Sequence, residues 1–94
     1  MDVNLKGKVA VVTGGTAGIG YAVAQLFARE GAQVAICSRR QSNVDAALMS
    51  LGDKGLKLYG EALDVSSRQG TFDFADRVEK HYGGIDIWVS NAGV

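Results

Sequence analysis

The chain has 94 residues, 10 Lys plus Arg against 10 Asp plus Glu, and no formal net charge, so it lacks the basic excess that a nucleic-acid partner requires. No apolar run approaches the roughly 18 residues of a membrane span. Met1-Asp2-Val3-Asn4-Leu5-Lys6 is too polar for a signal peptide, and one Cys cannot form an internal disulfide, so the cytoplasm is the default expectation, with organelle import left open.

Lys8-Val9-Ala10-Val11-Val12-Thr13 is a nearly unbroken apolar, β-branched run. A strand apolar on both faces belongs in the interior of a parallel sheet. Gly14, Gly15, Gly18 and Gly20 then crowd together, from a total of 13 Gly in a chain without Pro. A helical period follows from Ile19 to Glu30, with Ile19, Val23, Leu26 and Phe27 as the expected inward stripe, Ala22 beside them, and Gly31 just past the end. Ala32 to Cys37 reads as a second strand. Ser42 or Asn43 is placed to cap a second helix that runs to about Leu51, with Val44, Ala47, Leu48 and Leu51 inward.

Leu56 to Leu63 gives a weaker third strand. Ser66 or Ser67 is placed to cap a third helix over Gln69 to Tyr82, with Phe72, Ala75, Val78, Glu79 and Tyr82 along one side. Gly83-Gly84 stops it, and Ile85 to Ser90 is a fourth strand. Strands alternating with helices imply βαβ units, a parallel sheet and right-handed crossovers. A doubly wound order 3-2-1-4 puts the first strand in the interior, as its two apolar faces require.

The segment Thr13-Gly14-Gly15-Thr16-Ala17-Gly18-Ile19-Gly20 joins a strand to a helix. Its glycines allow a sharp turn and let a phosphate reach free N–H groups at the helix start. A Walker-type loop is excluded, because Tyr21 stands where Lys is needed, and the strict G-x-G-x-x-G spacing fails at Val23. T-G-x-x-x-G-x-G remains.

That pattern resembles the short-chain dehydrogenase/reductase family. Leu5-Lys6-Gly7-Lys8 before the first strand, the Asp64-Val65 pair after the third and Asn91-Ala92-Gly93 after the fourth match the same family in the same order. The resemblance implies an α/β Rossmann-type doubly wound parallel sheet, with residues 1–94 forming an incomplete NAD(P)-binding domain. Gly14, Gly18 and Gly20 would then form the turn around a pyrophosphate, lined by Thr16, Ala17 and Ile19. Asp64 would accept from the adenine amino group with Val65 backing the ring. Asn91, Ala92 and Gly93 would meet the adenosine ribose side and hold the central strand. The plainer readings are a helix N-cap for Asp64 and a turn residue for Asn91.

An acid that grips the ribose 2′-hydroxyl of NAD belongs at the end of the second strand, about 20 residues past the glycines. In the family pattern that place is Ser38, and Arg39 and Arg40 follow it. A neutral Ser38 beside the planar donor fork of Arg39 favours NADP(H), with Arg40 as a lesser contributor and NAD(H) as the alternative. Two solvated arginines on a polar turn are the plain reading. Ala17, where many NADP-preferring relatives carry a basic residue, weighs against NADP(H). Cys37 reads as core, Trp88 as strand packing, and His81 has no metal-ligand cluster around it.

The resemblance implies hydride transfer between a nicotinamide and a carbonyl or alcohol, with a catalytic Tyr-x-x-x-Lys pair. Tyr21, Tyr59 and Tyr82 are followed four residues on by Gln25, Leu63 and Asp86, so none fits. The expectation is the nucleotide-binding part of an oxidoreductase, truncated before its catalytic residues and inactive alone. Cys37-Ser38-Arg39-Arg40, Asn43-Val44-Asp45 and Gly84-Ile85-Asp86-Ile87 look like the carbonyl and retinol reductase subgroup, with tropinone-reductase-like enzymes close. Full-length members of the family are usually homo-oligomers. Here Ile85, Ile87, Trp88 and Val89 would leave an apolar sheet edge open to self-association. The alternative is a non-catalytic dinucleotide-binding or interaction module.

Overall fold

The computed structural model describes residues 5–91. All five residues of β1 (Val9–Thr13) are buried, because the strand lies between two others and is covered on both faces. The remaining elements follow in alternation: α1 (Gly18–Arg29), β2 (Gln33–Ser38), α2 (Gln41–Asp53), β3 (Tyr59–Ala62), α3 (Arg68–Tyr82) and β4 (Ile87–Val89). The four strands are parallel in the order β3-β2-β1-β4, the expected 3-2-1-4 arrangement.

Alternate strand residues feed two cores. Val9, Val11, Ala35 and Cys37 meet Phe74 and Val78 of α3 on one face. Val12, Val34 and Ile36 meet Ala24 of α1 and Ala47 of α2 on the other. Burying each of the larger side chains contributes about 1.5–3 kcal/mol, so this interior strand pair anchors the domain.

Two helices follow the stripe that hydropathy suggests only in part: Val23 and Phe27 of α1 and Val78 and Tyr82 of α3 pack on the cores as expected, and other members of each stripe do not. In α1 the buried residues are Gly20 and Ala24, while Ile19 is 77% and Leu26 54% exposed. Gly20 is buried because α1 starts so close to the glycine loop that a side chain there would meet the Gly14 carbonyl, and Ala24 packs in the core with Val12 and Ile36. In α3 the buried residues are Phe74 and Val78, one turn apart, and Phe72 is 63% exposed. Phe74 also meets the Trp88 ring edge-on at 6.5 Å, which ties α3 to β4.

The caps differ in the same instructive way. Ser67 caps α3 by accepting from the Gly70 N–H at 3.0 Å, one of the two expected residues, and Gly83 ends α3 in the left-handed conformation. In α2, however, the capping position is Arg40, with no side-chain cap, and Ser42 and Asn43 lie inside the helix. Val44, Ala47 and Leu51 of α2 are buried as expected. Strands β3 and β4 are shorter than expected, since they extend only as far as they pair with β2 and β1. At the start of β4, Asp86 exchanges two bonds with Val9, one through its backbone N–H and one through its carboxylate, each 2.8 Å.

Candidate functional site

The C-terminal ends of β1 and β2 carry the site. After Thr13 the chain turns at Gly14, whose N–H donates to the Cys37 carbonyl at 2.9 Å, with the Gly15 N–H on the same oxygen at 3.3 Å. The glycine loop is thus fastened to β2. From the other side Asn91 fastens it to β4. Its Nδ2 donates to the Gly14 carbonyl at 3.3 Å, and its backbone N–H donates to Thr13 Oγ1 at 2.9 Å. Thr13 Oγ1 in turn donates to the Val89 carbonyl at 3.3 Å. Thr13 is therefore the joint between loop and sheet, a role the sequence pattern contained without revealing.

Gly18 stands at φ +59 where the loop enters α1, a conformation that a side chain resists. Gly20 is required by proximity: a Cβ there would lie inside contact distance of the Gly14 carbonyl and 2.6 Å from Asn91 Nδ2. Gly15 packs the same way against Ile36, where a Cβ would fall 2.6 Å from Cγ2. Together these glycines seat the first turn of α1 on the loop. Ala17, at the capping position of α1, supplies no side-chain cap, and the first turn carries no acid. This is a cradle of the kind that admits a phosphate.

Beside the loop opens a cleft of about 430 Å³. Gly14 and Cys37 form its floor, Ser38, Arg39, Arg40 and Asn43 one wall, and Leu63, Asp64, Val65 and Ser66 the other. The second wall offers apolar surface to a flat ring, and the first offers donors and positive charge. Burial pushes the Cys37 thiol up to about 11, so it stays neutral at ordinary pH.

Asp64 does not cap α3. Its Oδ1 accepts from Ser66 Oγ at 2.7 Å and the Ser66 N–H at 3.0 Å, closing a local turn. The Ser66 hydroxyl, then the Ser66 N–H, holds its carboxyl below the usual range, and the charge of Arg39 adds to this.

The sequence-marked residues thus divide into groups. Gly14, Ser38, Arg39, Arg40, Asp64 and Val65 share the cleft. Thr16, Ala17 and Gly18 line a neighbouring groove between α1 and α2, together with Tyr21, Ser50 and Lys54. There the Tyr21 hydroxyl bonds Ser50 Oγ at 2.8 Å. Ile19 projects outward, Gly20 is buried beneath the loop and Asn91 braces it. Ala92 and Gly93 lie outside the described residues. Asn43, marked in the sequence as a possible cap and not as a site residue, also lines the cleft; its place in the first turn of α2, just past the arginine pair, was the available signal. Among the described residues no group of three His, Cys, Asp or Glu is placed to hold a metal ion.

A sequence profile described as short chain dehydrogenase matches residues 8–94. The chain belongs to the short-chain dehydrogenase/reductase family. It is 44% identical over 88 residues to the short-chain dehydrogenase/reductase SDRA of Arabidopsis thaliana, covering 94% of this chain and 35% of that protein. It is 45% identical over 87 residues to tropinone reductase-like 3 of Erythroxylum coca, covering 93% of this chain and 34% of that protein. The chain spans about a third of the length of these curated relatives. Among solved structures it is similar to L-sorbose reductase of Gluconobacter frateurii complexed with NADPH and L-sorbose. That likeness has a TM-score of 0.91 and 40% identity, covering 100% of this chain and 36% of the other. The match falls on the N-terminal, cofactor-binding region of the family.

Proposed function

We propose that the chain is the NADP(H)-binding portion of an oxidoreductase that moves hydride between a nicotinamide and a carbonyl or alcohol. When bound, the dinucleotide supplies or accepts the hydride, while this chain's residues hold its adenosine and pyrophosphate end. The observation that carries the choice of NADP(H) is the cleft wall of Ser38, Arg39 and Arg40, which presents two guanidinium groups and no carboxylate. The one acid at the cleft, Asp64, already has its carboxylate engaged by Ser66.

The adenine would lie against Val65, with its amino group turned to Asp64. The pyrophosphate would sit over the loop braced by Asn91. The reading is supported by the close approach at Gly20, which lets the start of α1 lie against the loop where a Cβ would press on the Gly14 carbonyl.

The chain's three tyrosines are engaged elsewhere. Tyr21 bonds Ser50, Tyr59 donates to Glu61, and Tyr82 donates to the Val34 carbonyl at 2.9 Å. None lines the cleft. The proposal therefore includes that these 94 residues bind nucleotide without turnover. Equilibrium titration of the purified chain should give tighter binding of NADPH than NADH, and a carbonyl-reduction assay should give no NADPH oxidation. Equal affinities would overturn the NADP(H) reading. Turnover would overturn the claim that catalytic residues lie elsewhere.

A second expectation concerns association. β4 carries no strand on its outer side among the described residues, and Trp88 there is 38% exposed. An unpaired edge with apolar residues favours strand pairing between copies. Sedimentation should show self-association of the isolated chain, which a sharp monomer boundary with a cooperative melt would refute.

A further inference from the structure

We propose that Asn43 is a specificity-determining residue whose side-chain amide donates to the ribose 2′-phosphate. This rests on the NADP(H) reading above and adds to it a residue that neither the glycine motif nor the arginine pair pointed to.

Position is the first support. Asn43 lines the same cleft wall as Ser38, Arg39 and Arg40, from the first turn of α2. Its backbone N–H donates to the Arg40 carbonyl at 3.1 Å, which holds the residue against that arginine. Availability is the second. The neighbouring Gln41 side chain is engaged with Asp45 at 2.9 Å, and Asp64 across the cleft with Ser66. The side chains of Arg39, Arg40 and Asn43 make no hydrogen bond among the described residues. Three donor-bearing side chains thus line one wall with no hydrogen-bond partner among the described residues.

The chemistry explains why an amide suits the third position. A phosphate monoester carries about −1.5 to −2 charges near pH 7, which two guanidinium groups balance. Asn then adds an N–H donor without further charge. Its acid isostere would offer only acceptors to the same phosphate and repel it. Asn43→Asp changes the sign of the interaction while keeping the shape.

The experiment uses the 94-residue chain with two small probes, adenosine 2′,5′-bisphosphate and 5′-AMP, which differ only in the 2′-phosphate. Calorimetric titration should show wild type preferring the bisphosphate. Asn43→Asp should weaken the bisphosphate by about tenfold or more, the worth of a charged hydrogen bond lost, and leave 5′-AMP nearly unchanged. Asn43→Ala should fall between the two. Ser42→Asp, in the same turn but off the cleft, controls for the general field of an added acid and should change the preference far less. An acid in a first helical turn is stabilising, so both Asp variants keep the fold.

If Asn43→Asp does no more than Ser42→Asp, or weakens both probes equally, the role of Asn43 is wrong while the NADP(H) reading stands. If wild type holds the two probes equally, both fall together.

Discussion

Gly20→Ala is expected to abolish binding of NADPH and NADH alike and to lower the melting temperature. The added methyl would press on the Gly14 carbonyl and the Asn91 amide, 2.6 Å from its Nδ2. Neither can yield locally. Gly14 is bonded to Cys37, and Asn91 is bonded to Thr13, which is itself buried in β1. The start of α1 must therefore lift, taking the loop's free N–H groups with it. Overpacking of this kind costs about 1–3 kcal/mol. In a domain of 60–100 residues each kcal/mol moves the melting temperature by about 4–8 °C.

Gly52→Ala provides the contrast. It lies in the last turns of α2, with nothing within 4 Å of the added Cβ. That change should stabilise by about 0.5–1 kcal/mol through helix propensity and leave binding intact. Thermal melts and titrations of the two variants check both. A Gly20→Ala chain with wild-type melting and binding would show that the close approach of α1 is not what the loop requires.

The parts of this molecule legible from sequence are those set by local periodicity and backbone geometry. The double-sided run of β1 announced an interior strand. The glycine spacing announced a tight strand-to-helix turn, and the strand order followed from handed crossovers. The less legible parts depend on which side of a helix another element leaves room for. In α1 the stripe holds at Val23 and Phe27, which pack on the core, but fails at Ile19 and Leu26, and the fully buried residues are the small Gly20 and Ala24 that hydropathy passes over. In α3, Phe72 and Phe74 are equally apolar, and only the position of Trp88 and the strands beneath makes Phe74 the buried one.

The site divides in the same way. Arg39, Arg40 and Asp64 were marked by their positions at strand ends. The brace of Thr13 and Asn91 spans 78 residues of sequence, and no local pattern reports such a bond. Asn43 was taken for a possible cap, because Asn near a helix start usually serves that purpose. The cap position fell instead on Arg40, and Asn43, one of the residues that line the cleft, makes no side-chain cap.

Arg39→Ala tests the cofactor choice where the charge acts. Arg39 lines the cleft, and its charge lowers the pKa of Asp64 across from it, so the guanidinium lies within electrostatic reach of both walls. A hydrogen bond to a charged group is worth about 1.5–3 kcal/mol, which converts to roughly ten- to 150-fold in affinity. Arg39→Ala should weaken NADPH by about that factor, leave NADH nearly unchanged and flatten the salt dependence of NADPH binding. Arg40→Ala should cost less, since of the two arginines only Arg39 acts on Asp64 across the cleft. Titrations of both variants at low and high salt separate the cases. Equal losses for the two arginines would divide the phosphate between them. Loss of NADH binding together with NADPH in Arg39→Ala would overturn the charge argument, because the residue would then be shaping the adenine wall through Asp64.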